Sequence, residues 1–566
     1  MNLLPKPSKI DIKDGFLKNK KICIINQCDD CRIEKALAYF DSDSKGVELI
    51  VKCGNSDSEG YTLEISENAI TINGDSSAGA FYGIQTLKQI FESDTVSCLY
   101  IEDKPYMKYR GVYHDVTRGK VPTVETLKKF IDTLAYYKIN SLQIYVEHTF
   151  PFKELGNRIE KTGYLTPEEI RELDDYCYEN FIEFIPSIPT FGHLYELLQR
   201  EEYKELQAID DYEEERIFWW MRMRHHTIDP ENEKSIELIK SLIDQYMPLF
   251  RTDKFNICCD ETFDLTAGKH KGKDTGRLYV DFVKKIISYV ESKGKKVMMW
   301  GDILLQHPEC ISELPEDIDF LNWCYEAEPE EKSFKTFSEA KGRQIVCPGT
   351  GSWSRLVESV EAADSNITKM LDYGYKYNAV GMLNTNWGDF GNPCSIELAM
   401  HGLILGAAKS WNINTMVNDE FNNCINALEY KNNEAVKYLY MLDSAHKNLS
   451  WNMLAFCYSN LIYKNKVDIT YPEKQQIEDA ISICKTVMTE LSGQKWDREE
   501  YRTEMLLVAE GIIVIAELFA KLAGYDMQRI SDTDHWLKEY RKTWLKSNKE
   551  SELSEIEKMF IALERA

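Results

Sequence analysis

Between Arg110 and Trp411 the sequence alternates eight times between two patterns. Short apolar runs (GVYHDV, SLQIYVE, IEFIPSI, FNICCDE, KVMMWGD, FLNWCYE, RQIVCPG and AVGMLNTNW) are separated by stretches such as TVETLKKFIDTLAYYK and RLYVDFVKKIISYVESKG. The runs read as strands. In the intervening stretches apolar residues recur at three and four, the mark of amphipathic helices. The second of these stretches ends on Gly294, where a helix C-terminus is expected. Eight strand-then-helix units in about 300 residues predict an α/β protein built on a (β/α)8 TIM barrel.

The flanking segments differ from this pattern. At 566 residues the chain exceeds one hydrophobic core, and three domains are expected. Residues 1–105 show short strands, including the alternating pair YTLEIS and AITING joined through Glu67 and Asn68, and a helix from Ser77 to Phe91. They predict a small α+β domain. The barrel occupies 106–414. Residues 415–566 lack strand alternation and predict a helical C-terminal region whose aromatic residues serve packing rather than substrate contact.

Charge and cysteine content narrow the function. The formal net charge is −25, with no Lys/Arg-rich run to neutralise phosphates, so nucleic acid and anionic membranes are poor partners. The opening MNLLPKPSKIDIKDG has no signal-like apolar stretch, and no run of 18 apolar residues occurs anywhere. A cytoplasmic protein is expected. The 15 cysteines lie mostly inside apolar segments, as reduced core thiols do. Cys28 and Cys31 form a C-x-x-C without a second Cys/His pair at metal-site spacing, so it reads as a chance pair near a loop. Oligomeric state is not legible.

In a barrel of this kind the working residues gather where strands end. Strand one opens with Arg110 and carries His114 and Asp115; strand two ends in Glu147 and His148; strand three runs through PSIPTFGH to His193; strand four gives Asp260 and Glu261. Strand five ends in Trp300 and Asp302, strand six in Trp323 and Tyr325, strand seven leads to Trp353, and strand eight ends in Asn386, Trp387 and Asp389. Carboxylates, carboxamides and an arginine around several tryptophans compose a sugar pocket, because sugar rings offer apolar faces for stacking and hydroxyls for hydrogen bonds. There is no Gly-rich phosphate loop, no G-x-G-x-x-G and no H-E-x-x-H, so no cofactor and no metal are expected.

The adjacent pair Asp260–Glu261 is unusual for a glycosidase. Two carboxylates acting from opposite sides of a glycosidic bond sit roughly 5 to 9 Å apart on separate strands. Neighbours suit a substrate that carries its own nucleophile, a 2-acetamido group. Glu261, the longer side chain, would protonate the leaving oxygen, and Asp260 would orient the acetamide. An ionised Asp260 is expected to raise the pKa of Glu261.

Several segments resemble a known family. EGYTLEIS followed by AITINGDSSAGAFYGIQTLKQIF resembles the domain that precedes the barrel in family 20 β-N-acetylhexosaminidases; YRGVYHDVTRGKVP resembles that family's first barrel strand, PTFGH its third and NICCDETFDL its Asp-Glu signature. The resemblance covers about residues 60 to 411. It implies Glu261 as general acid, Asp260 as the acetamide-orienting residue, Arg110 on the O3 and O4 hydroxyls, and Glu147 with His193 as a carboxylate–histidine pair behind the acid. Trp300, Trp323, Trp387 and Asp389 would line the pocket. It also implies removal of terminal β-linked N-acetylhexosamine from an oligosaccharide or glycoconjugate.

Strand seven departs from the family. Many members carry Tyr followed by Leu-Asp there, the Tyr hydroxyl holding the acetamide oxygen, whereas this chain reads IVCPGTGSW. Tyr325 and Asn386 are the available replacements. The alternatives are a glycosidase with another aminosugar preference, such as a galactosamine type, and a non-catalytic sugar-binding barrel.

Overall fold

The computed structural model of the chain describes residues 1–156, 163–209 and 219–566. Six strands form the first sheet: β1 (Lys9–Phe16), β2 (Ile22–Asn26), β3 (Val47–Cys53), β4 (Tyr61–Ile65), β5 (Ala69–Gly74) and β6 (Ser97–Asp103), in the order β1-β6-β4-β5-β3-β2. β4 and β5 pair antiparallel, as their alternation predicts. The helix Ser77–Phe91 covers the sheet, capped by Ser76, whose side chain accepts from the Gly79 N–H.

The next eight strands are β7 (Tyr109–Asp115), β8 (Ser141–Tyr145), β9 (Glu183–Ser187), β10 (Lys254–Asn256), β11 (Lys296–Trp300), β12 (Asp319–Trp323), β13 (Arg343–Cys347) and β14 (Gly381–Asn386). They form a closed parallel barrel, with β14 pairing β7 from Gly381 opposite Tyr109 to Asn386 opposite His114. Covered by helices outside and by packed side chains within, these strands are buried on both faces, β8 along its whole length. The interior is filled by Tyr113, Tyr145, Ile185, Cys258, Met298 and Trp300, among others. Helices at Ala435–His446, Trp451–Tyr463, Lys474–Ser492, Glu499–Leu522, Thr533–Ser547 and Leu553–Arg565 make up most of the C-terminal region. Trp451, Trp536 and Phe560 meet in its core.

Strand direction fixes the fate of Arg110. It is the second residue of β7, at the N-terminal end of the barrel, fully buried against the first domain. Its guanidinium pairs with Glu59 at 2.6 Å and donates to the carbonyls of Met107 and Lys138. It is therefore a domain-interface residue, and the expectation that it binds sugar hydroxyls is corrected. The cysteine expectation also changes. Cys28 is disulfide-bonded to Cys53 across 25 residues, not to Cys31, while 13 cysteines are free. No helix among the described residues is long and apolar enough to cross a membrane.

Candidate active site

β10 has only three residues, and the chain then turns through Ile257–Glu261 at the C-terminal mouth of the barrel. Cys258, Cys259 and Glu261 hold φ of 56°, 68° and 49°, left-handed values rare for residues with a side chain. Tertiary bonds fix this turn. The Thr190 hydroxyl donates to the Ile257 carbonyl, the Tyr279 hydroxyl to that of Cys259, the Trp300 N–H to that of Cys258, and the Glu261 N–H to Oδ2 of Asp302. The segment ending in His193 lies against the turn because residue 192 is glycine: a Cβ there would stand 2.5 Å from the Asp260 carbonyl.

This approach sets His193 between the two carboxylates. Its Nε2 lies 3.3 Å from Asp260 Oδ2 and 3.3 Å from Glu261 Oε2. These are ion-pair contacts, since Nε2 makes no aligned hydrogen bond within the protein. Burial disfavours the charged ring, but the Asp260 charge and the two carboxylate contacts outweigh it and raise the His193 pKa to about 10. Glu261 moves the opposite way from expectation. Burial pushes its carboxyl up, yet His193, assisted by Arg118, holds it below its usual value. The cation between the neighbours, not their mutual repulsion, decides the resting charge of Glu261.

His226 was not anticipated. Its Nδ1 accepts the His193 backbone N–H at 2.7 Å, and burial followed by the His193 charge lowers its pKa to about 4, so it stands neutral behind the charged ring. The main-chain N–H groups of His226 and Thr227 both donate to Asp264.

The mouth encloses a cavity of about 160 Å3 lined by Arg118, Asp260, Glu261, Trp300, Trp323, Tyr325, Trp353, Trp387 and Asp389. Arg118, three residues beyond the end of β7, occupies the position expected of Arg110. It pairs with Asp115 at 3.2 Å, Glu147 at 3.3 Å and Asp389 at 4.0 Å, and lies over the rings of Tyr145 and Trp387. Glu147 is thus turned to Arg118; its other partners are the Tyr145 hydroxyl and His148. The expected Glu147–His193 pair is not a direct contact. Although burial opposes it, Arg118 keeps Glu147 well below the usual carboxylate range.

Asp389 behaves differently. Burial raises its pKa to about 6 against the pull of Arg118, but its side chain is 40% exposed, so solvent weakens this shift until a ligand covers it. Asp302 stands behind the pocket wall and acts on Glu261 through the backbone. Burial and the Asp260 charge raise its pKa to about 7, a correction to its expected role in direct sugar contact. Asn386 is likewise an internal residue, accepting from the Thr350 and Ser352 hydroxyls and donating to His114. Tyr325 does line the cavity. Its hydroxyl accepts the Trp387 indole N–H at 2.6 Å, and its ring stacks on Trp323. The Trp300 indole N–H is buried without a partner in the protein.

Chemically, the site combines adjacent carboxylates, a histidine whose proton affinity they raise, and aromatic walls. His193, Asp260 and Glu261 are also the one group among the described residues whose ligand atoms, all within 4.8 Å, could hold a metal ion. The high proton affinity of His193 favours a proton there.

Two family profiles match the chain: "Glycosyl hydrolase family 20, catalytic domain" over residues 107–380 and "Glycosyl hydrolase family 20, domain 2" over 2–104. A beta-hexosaminidase of Porphyromonas gingivalis is 26% identical over 359 residues, 54% of this chain and 46% of that protein. Human hexosaminidase D is 24% identical over 224 residues, 37% of this chain and 44% of that protein. The chain spans less than half the length of these relatives. Among solved structures, the Flavobacterium johnsoniae chitobiase superposes with a TM-score of 0.62 at 19% identity, covering 100% of this chain and 98% of that one. The chain belongs to glycosyl hydrolase family 20.

Proposed function

We propose that the protein is an exo-acting β-N-acetylhexosaminidase that works by substrate-assisted, retaining catalysis. One observation carries this reading. Asp260 and Glu261, consecutive in the chain, both line the cavity and both lie 3.3 Å from Nε2 of His193, so they stand together beside one ring instead of flanking a bond from separate strands. They suit a shared role on one side of a sugar that brings its own nucleophile. The cavity, about 160 Å3, is below the roughly 300–1,000 Å3 of sites for larger ligands, which favours a single terminal residue over an internal stretch of glycan.

In this proposal the terminal sugar stacks on the tryptophans, Arg118 and Asp389 take its hydroxyls, and Tyr325 supplies the hydroxyl for the acetamide oxygen that strand seven lacks. Glu261 is ionised in the empty pocket, so its proton must come from His193. Covering Glu261 with substrate disfavours its charged form, and the proton moves from Nε2 to Oε2. Glu261 then delivers it to the departing oxygen while the acetamide oxygen bonds to the anomeric carbon. Asp260 accepts the acetamide N–H and stabilises the oxazolinium charge. Glu261, now ionised, takes a proton from the water that opens this ring, and the product retains its configuration.

The substrate is the non-reducing end of an oligosaccharide or glycoconjugate bearing β-linked N-acetylglucosamine or N-acetylgalactosamine. The 13 free thiols against one disulfide support a reducing, cytoplasmic-type compartment. The test compares nitrophenyl 2-acetamido-2-deoxy-β-glucoside and -galactoside with the 2-hydroxy glucoside. Turnover confined to the acetamido sugars, with retained configuration, is expected. Equal cleavage of the 2-hydroxy glycoside overturns the mechanism, and no turnover of any of the three overturns the activity.

A further inference from the structure

Two loops supply the polar side of the pocket: residues 116–123 after β7, with Arg118, and residues 387–395 after β14, with Asp389. Neither is held by the barrel alone. In the first, the Glu552 N–H donates to the Gly119 carbonyl at 3.1 Å, the Lys549 N–H to that of Val121 at 2.8 Å, and the Thr123 N–H to that of Ser547 at 3.0 Å. Pro122 and Asn548 complete an antiparallel bridge. The segment 547–552, between the last two helices, thus docks on the Arg118 loop as a short strand would.

The second loop is strained. Asp389, Phe390, Gly391 and Asn392 all have positive φ, 36°, 32°, 93° and 50°, a conformation that persists only where surroundings over-determine it. Two side chains of the C-terminal region supply hydrogen bonds: the Trp451 indole N–H donates to the Phe390 carbonyl at 2.8 Å, and the Tyr540 hydroxyl to that of Pro393 at 3.0 Å. The two loops also touch, since a Cβ on Gly119 would stand 2.5 Å from the Gly391 carbonyl oxygen. Beneath Gly391 lies the Trp219 ring, whose indole N–H donates at 3.0 Å to Glu552, a buried carboxylate that also pairs with Arg222.

We infer that the C-terminal helical region is part of the sugar site: Glu552, Trp451 and Tyr540 are positioning residues that set where Arg118 and Asp389 stand, and hence how tightly the terminal sugar is held. The Asp260–Glu261 turn is anchored instead by Thr190, Tyr279 and Asp302, all from the barrel. Binding and chemistry are therefore supported by different parts of the molecule. This inference rests on the proposed role of the pocket as a sugar site.

The experiment uses the full chain with Tyr540→Phe, Trp451→Phe and Glu552→Gln. Tyr540→Phe and Glu552→Gln remove a donor and a charge with little change in volume, whereas Trp451→Phe removes the indole N–H together with one ring of a fully buried side chain. With a nitrophenyl 2-acetamido glycoside, KM is expected to rise threefold to thirtyfold with kcat within about twofold of the parent. Amide hydrogen exchange is expected to quicken in 117–121 and 388–394 but not in 257–261. Because exchange needs no substrate, quickening without any turnover by the parent would refute the sugar reading and leave the clamp standing. Unchanged exchange in both loops for Tyr540→Phe and Trp451→Phe overturns the clamp. A fall in kcat as large as the rise in KM overturns the separation of binding from chemistry.

Discussion

Replacing His193 by Asn tests the electrostatic heart of the site. The imidazolium sits 3.3 Å from an oxygen of each carboxylate, and at an effective dielectric near 20 each contact is worth about 5 kcal/mol of gross attraction. The carboxylate oxygens, within 4.8 Å of each other, repel by at least about 3.5 kcal/mol on the same scale. In the parent the one mobile proton resides on His193, whose pKa is raised to about 10. Without the ring the two carboxylates must share that proton. Their mutual repulsion raises the second ionisation above the ordinary carboxylate range.

The acid can therefore draw on a proton up to a pH near 10 in the parent and loses it at lower pH in the variant. The assay is kcat/KM between pH 5 and 10 on a 2-acetamido disaccharide, whose sugar leaving group needs protonation. The alkaline limb is expected to move to lower pH, so that at pH 9 the variant falls well below its own value at pH 6 while the parent does not. The linkage sign is a second readout. A folded-state pKa raised above the ordinary 6.5 of His193 contributes stability that is complete below pH 6.5 and lost as pH rises toward 10. This contribution, at most about 5 kcal/mol, is absent from the variant, whose melting temperature changes less over that range. Coincident alkaline limbs in parent and variant would refute the argument.

Glu261→Gln is expected to keep sugar binding and to lose about 10²–10⁴-fold in turnover of the disaccharide, with a smaller loss on aryl glycosides whose leaving groups need no proton; equal losses on both would remove Glu261 from the role of acid. The two arginines of YRGVYHDVTRGKVP should separate cleanly. Arg118→Lys is expected to raise KM tenfold or more without unfolding the chain, because a single ammonium cannot reproduce three carboxylate contacts. Arg110→Met is expected to destabilise the fold, by less than the roughly 3–5 kcal/mol of a broken fully buried pair because Glu59 keeps the Asn140 amide and some solvent, while the folded fraction keeps its KM, measured by denaturant melts alongside kinetics.

The barrel was legible because each of its strands is a compact apolar run bounded by polar residues, and burial on both faces made alternation unnecessary. The pair Asp260–Glu261 and most of the tryptophans were legible for the same reason: they close those runs at one end. Arg110 was misassigned through a motif read without direction. Strands rise about 3.3 Å per residue, so Arg110 and Arg118 stand roughly 25 Å apart along the chain, and only the second follows the strand. His226 left no local trace. It lies 33 residues beyond His193 in a connection without periodicity, and its role depends on one main-chain N–H. Asp302 was recognisable as a strand-end carboxylate, but its hydrogen bond to the Glu261 backbone is purely tertiary, as is the pairing of Cys28 with Cys53.

Why two like charges should be neighbours follows from the backbone. In an extended strand, successive side chains point to opposite faces, so Asp260 and Glu261 could not both enter one pocket. The left-handed residues at 258, 259 and 261 break that alternation. Each such residue costs on the order of 1–3 kcal/mol, in addition to the repulsion of the carboxylates. The turn persists because Thr190, Tyr279 and Asp302 hold its main chain, and because His193, itself at φ 57°, places a positive charge between the two carboxylates. The same conformation recurs at Asp389, on the opposite wall of the pocket. Strain and like charge are thus concentrated at the pocket and offset by groups outside the cavity. A chain that relaxed the turn would gain local stability and lose the geometry in which one histidine stands against both carboxylates.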